Sequence, residues 1–66
     1  MMGIAIVVVM VQPGHWHSRC PSLPGCEAIG PSRQGVLRNI DRAIRAYLAS
    51  LNVAFPLELN LAILPV

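Results

Sequence analysis

The chain opens on an unbroken apolar run, Ile4 to Val11, closed by Gln12-Pro13-Gly14. Its β-branched residues suit a pleated, buried surface, so the run predicts a central strand covered on both faces. Pro13-Gly14 is turn chemistry, and His15 to Cys20 then predicts an antiparallel return strand. On that strand Trp16, Ser18 and Cys20 share one face, while His15, His17 and Arg19 share the other. Pro21-Ser22-Leu23-Pro24-Gly25 follows as a stiff connector, because two prolines fix φ and remove two backbone donors. Cys26 to Ile29 predicts a short third strand, ended by Gly30-Pro31.

From Leu37 onward the period changes to that of a helix. Leu37, Ile40, Ile44, Tyr47, Leu48 and Leu51 recur at steps of three and four, with Gln34, Arg38, Asp41, Arg42 and Arg45 on the opposite side. Ser32 is a good N-cap, since its hydroxyl can accept from an unpaired first-turn N–H. Gly35 in the first turn is a local weakness of up to ~1 kcal/mol relative to Ala, and Asn52 is a fitting stop. Phe55-Pro56 predicts a turn. Leu57 to Leu64 then alternates Leu57, Leu59, Leu61 and Ile63 against Glu58, Asn60, Ala62 and Leu64, the period of a half-covered strand at a sheet edge. The sum is one α+β domain over residues 1–66, ordered β-β-β-α-β. It should form a three- to four-stranded antiparallel sheet with one amphipathic helix packed on one face.

Composition bears on how such a domain is stabilised. A chain of 66 residues buries only about 60% of its unfolded surface, and ordering entropy nearly cancels that gain unless something staples the fold. Hydrophobic residues are 55% of this chain and charged residues 12%, against about 45–50% and about 25% in ordinary domains. So much apolar side chain in so small a domain implies a partner chain. The expectation is a homo-oligomer, dimer or tetramer, joined through an exposed strand edge or an apolar sheet face. The opening run has no Lys or Arg before it and no small-residue cleavage pattern, and it is far shorter than the roughly 20 residues of a membrane span. A cytoplasmic protein without membrane insertion is expected.

Candidate chemistry is thin. His15, His17, Cys20 and Cys26 are of zinc-ligand type, but their spacing is not that of paired ligand knuckles, and strand parity turns Cys20 away from both histidines. No metal or cofactor is expected. Cys20 and Cys26 bracket the proline-rich turn and could be joined, although a reducing cytosol favours thiols, packed as small hydrophobes. The acids Glu27, Asp41 and Glu58 are not closely spaced, and phosphate-loop and dinucleotide motifs are absent. A non-enzyme follows as the expectation. Net charge is +2, and all five basic residues are arginine, four of them (Arg33, Arg38, Arg42, Arg45) within thirteen positions. Arg38, Arg42 and Arg45 form one surface band, which is either a solvated helix face or a site for nucleic-acid phosphates. Trp16 reads as a core or interface anchor, and Tyr47 belongs to the core stripe.

Pro21 to Leu48, PSLPGCEAIGPSRQGVLRNIDRAIRAYL, resembles the HicB-like antitoxin family. The carrying residues are the connector Pro21, Ser22, Leu23, Pro24, Gly25 and Cys26, then Gly30, the cap Ser32, and the stripe Leu37, Asn39, Ile40, Ala43, Ile44, Tyr47 and Leu48. Trp16 in the strand before the connector also fits. Ser22 stands where the family has an acid, Gln34-Gly35-Val36 where it has Glu-Glu-Ala, and the helix surface is arginine-rich where the family's is acidic. Proteins of that family usually carry a DNA-binding segment after this domain; with Val66 as the last residue, a stand-alone domain without that segment is expected. The resemblance implies a non-catalytic inhibitor that binds a HicA-type RNA-cleaving toxin, covers its active site and assembles as dimers or tetramers. Trp16, Arg38, Arg42 and Arg45 are then candidates for the partner-binding surface.

Overall fold

The structure, a computed structural model, describes residues 2–51 and 59–64. Its elements run β1 (Met2–Gln12), β2 (His15–Arg19), β3 (Glu27–Gly30), α1 (Arg33–Ser50) and β4 (Leu59–Ile63). They form one four-stranded sheet in the order β3-β2-β1-β4, with the helix packed against β3, β2 and β1. The α+β class, the order of elements and the single helix on one face agree with the sequence reading. Asn52, Phe55-Pro56 and the start of the last predicted strand lie outside the described residues.

β1 and β2 are an antiparallel hairpin, paired from Val7↔Arg19 to Met10↔Trp16, with a register shift between Met10 and Gln12 that leaves Val11 as the extra residue. Pro13 precedes Gly14, whose φ of 79° is the left-handed geometry that a Pro-Gly turn places on its glycine. β3 returns antiparallel to β2.

The antiparallel expectation fails at β4. That strand lies parallel to β1, from Met2↔Leu59 to Ile6↔Ile63. The reason is connectivity. Two antiparallel steps make β3 run the same way as β1, and the 18-residue helix carries the chain back to its starting end. A strand entered from that end must run parallel to whichever edge it joins, β1 or β3; helical crossovers are the ordinary device for parallel pairing.

The core lies between helix and sheet. Along α1 the buried row steps by four, Val36, Ile40, Ile44 and Leu48, and meets Ile4, Ile6 and Val8 of β1 with Cys20 and Cys26. Leu37, Ala43 and Tyr47 flank the row half-buried, and Leu61 of β4 packs against it. The predicted stripe therefore needs two corrections. Val36 is core, because it sits over the end of β3, and Leu51, 55% exposed, is not. A third concerns β1. Ile4, Ile6 and Val8 are buried, yet Ala5, Val7 and Val9 between and beside them are only half-buried, since the helix covers one side. Among the described residues, the expectation of a strand covered on both faces does not hold.

Candidate functional site

The connector is a compact loop held by three backbone bonds. Cys20 N–H donates to the Cys26 carbonyl at 3.0 Å, Leu23 N–H to the Cys20 carbonyl at 3.1 Å, and Cys26 N–H to the Leu23 carbonyl at 3.0 Å. Gly25 adopts φ 83°, a conformation in which a side chain is strained. Leu23 packs against the core between the exposed Pro21 and Pro24. Cys26 is buried, and that burial, with the neighbouring charge of Cys20 as the lesser cause, lifts its thiol above the ordinary value of 9.0. Buried and protonated, it is a poor nucleophile.

The next motif residues seat the helix. A Cβ on Gly30 would stand 2.7 Å from the backbone nitrogen of Val36 and 2.9 Å from its Cα, so only glycine lets β3 approach the first helical turn. Ser32, in extended conformation, accepts a bond from Gly35 N–H at 3.0 Å and caps the helix as expected. Asn39 reaches back from the second turn and donates through Nδ2 to the Ile29 carbonyl at 2.7 Å, tying helix to edge strand. Ala43 and Tyr47 lie half-buried along the core row.

Two surfaces remain. On the outer side of the helix Arg38 and Arg42 are exposed, whereas Arg45 is held by Asp41, its Nε 3.3 Å from Oδ1 in the expected i,i+4 pair. The second is the sheet face opposite the helix. Across it the rows run Val7, Arg19, Glu27 and Val9, His17, Ile29, with Ala5 beside Ala62. Ile29 is 60% exposed, and His17 Nε2 lies 3.5 Å from Glu27 Oε1. The face is thus an apolar strip along β1 and β4 with a charged margin on β2 and β3. Trp16 belongs to the other side, half-buried against the core next to the exposed Met10.

Comparison with curated proteins decides the family. The UPF0150 protein Ta0767 of Thermoplasma acidophilum is 36% identical over 50 residues, which make up 76% of this chain and 72% of that protein. The chain belongs to the UPF0150 family. No model of a protein family and no solved structure matches it.

In this UPF0150 chain the residues singled out from the sequence divide by role. Pro21 to Cys26, Gly30, Ser32 and Asn39 form one structural unit, the connector and helix seat, which fixes β3 against α1, and Ala43 and Tyr47 lie farther along the helix beside the core row. Arg38, Arg42 and Arg45 share a band apart from that unit, and Trp16 is not among them. Among the described residues no cavity is present and no three His, Cys, Asp or Glu side chains gather to hold a metal. Cys20 and Cys26 lie on the helix side of the sheet, and His15 and His17 on the other. The row of half-buried Val9 and His17 with exposed Ile29 was not singled out from the sequence. Its signal was present in the parity of His15, His17 and Arg19 on β2, but the partners beside them depend on register.

No helix among the described residues is long and apolar enough to cross a membrane.

Proposed function

We infer that this protein is a non-catalytic, HicB-like antitoxin domain that binds a HicA-type RNA-cleaving toxin and blocks it by covering its active site. The observation that carries the reading is the open sheet face. An apolar strip runs along β1 and β4, and beside it the connector, Gly30 and Asn39 hold β3, whose Ile29 is 60% exposed; no part of the described chain covers this face. Contiguous apolar surface rimmed by charge is the signature of protein association. Membership of UPF0150 supports the reading, as do the connector and helix residues that resemble HicB-like proteins. The same face serves assembly into a homo-oligomer, dimer or tetramer, and the reading places the protein in the cytoplasm, where RNA-cleaving toxins act.

Co-expression with a HicA-type toxin tests this. Wild type should restore growth and co-purify with the toxin. Ile29→Glu, which charges an exposed position and leaves the core untouched, should lose the complex while keeping the fold. Failure of wild type to bind or rescue sinks the antitoxin role.

A second reading, nucleic-acid binding, rests on the exposed Arg38 and Arg42 on one helix band. It requires a salt-sensitive gel shift with RNA or DNA that Arg38→Glu and Arg42→Glu abolish.

A further inference from the structure

The register of the sheet sets the two cysteines opposite one another. β2 and β3 pair as Trp16↔Gly30, His17↔Ile29, Ser18↔Ala28 and Arg19↔Glu27. The next rung is Cys20 against Cys26, and the chain makes it, with Cys20 N–H bonded to the Cys26 carbonyl at 3.0 Å. Alternation puts both side chains on the face of Ser18. Both are buried, at 3% and 4% exposure, and both thiols are free. Directly opposed residues of an antiparallel pair have Cα atoms about 4.5–5.5 Å apart, within the window of about 4.4–6.8 Å that a disulfide spans.

We propose that Cys20 and Cys26 are a redox-responsive pair that closes to an intrachain disulfide when a low-molecular-weight disulfide serves as oxidant. One cysteine thiolate attacks a sulfur of the reagent, forms a mixed disulfide and expels one reagent thiolate. The second cysteine, once deprotonated, attacks the protein sulfur of that mixed disulfide and expels the other. The protein gives up two electrons and two protons, and the reagent leaves as two thiols. Excess thiol reverses both steps. The bond closes the connector Pro21–Gly25 covalently, holds Leu23 on the core and fastens the edge strand β3 to the end of β2. Burial raises the Cys26 thiol above its ordinary value, and both sulfurs are shielded by the core. The thiolate is the attacking species, so exchange is slow at neutral pH and proceeds when the connector opens. Its end point is set by the thiol–disulfide poise of the surroundings. The proposal is independent of the function proposed above.

The test equilibrates the purified full chain with oxidised and reduced glutathione at mildly alkaline pH, in native buffer and in concentrated urea. Alkylation then traps the products for intact-mass analysis. The native protein should lose two hydrogens and carry no glutathione. Its dithiol–disulfide equilibrium constant should exceed that in urea by about tenfold or more, because the fold holds the sulfurs within bonding reach. The urea arm is essential, since an unfolded chain with two cysteines also oxidises. An equal or smaller constant in native buffer, or native protein that accumulates glutathione adducts or interchain dimers instead, overturns the proposal.

Discussion

Gly30 and Val36 stand so close that a single added carbon on the glycine would lie 2.7 Å from the valine's backbone nitrogen. Main chain cannot step aside as a side chain can, so the contact controls how the helix sits on β3. Gly30→Ala should destabilise the fold by about 2 kcal/mol, within the range for forced overpacking. Urea denaturation checks this, and a loss under about 0.5 kcal/mol, the scale of ordinary surface changes, would show that the helix start can shift freely.

Asn39 contributes a bond rather than a space. Its amide donates to the Ile29 carbonyl at 2.7 Å in an exposed position, so Asn39→Ala should cost about 1 kcal/mol, the net worth of a typical intramolecular hydrogen bond. Asn39→Asp should cost more, because a carboxylate facing a carbonyl oxygen has no proton to donate. Equal stability of the two variants would contradict the assigned bond.

Among the described residues, the one buried polar side chain goes the other way. Ser18 is fully buried on the helix side of β2, and its Oγ has no hydrogen-bond partner among the described residues. An unsatisfied hydroxyl costs free energy that its removal recovers. Ser18→Ala should therefore raise stability by about 1 kcal/mol, which for a domain of this size moves Tm by roughly 4–8 °C. Calorimetry showing a lower Tm would mean the hydroxyl is satisfied in solution.

Stability should also fall at alkaline pH through Cys26. Burial first, and Cys20 second, raise its thiol above 9.0 in the folded chain. In the unfolded chain the thiol ionises near its ordinary value, so the unfolded state sheds its proton first. The contribution is fully present below pH 9.0 and is lost as pH rises through the folded value, with a slope of at most about 1.4 kcal/mol per pH unit. Urea midpoints of wild type and Cys26→Ala followed across this range should converge as pH rises. Parallel curves would sink the assignment.

Gly35 shows where local rules stop. As a helix residue it reads as a weakness, yet its Cβ would meet Pro31 Cδ and Ser32 Oγ, each at 3.2 Å. The cap and the proline before it crowd the position, so the propensity gain of alanine, ~1 kcal/mol, is offset by contact with the groups that start the helix.

Much of the molecule follows from order along the chain alone. The unbroken apolar run marks β1, and hydrophobic period marks the helix and most of its buried face; Pro13-Gly14, the connector and Ser32 mark their ends; the Asp41–Arg45 pair follows from helical spacing. These are local properties, set by residues a few positions apart. Three features were decided only by the tertiary structure. Alternation of side chains is the same for a strand in either direction, so the parallel run of β4 came from the helix returning the chain to its starting end. Burial of Val36, and the need for glycine at Gly30, came from how closely that helix lies on β3. The open face that places Val9, His17 and Ile29 in one row, and the meeting of Cys20 with Cys26, came from inter-strand register, which relates residues on separate strands and is fixed only when the strands pair.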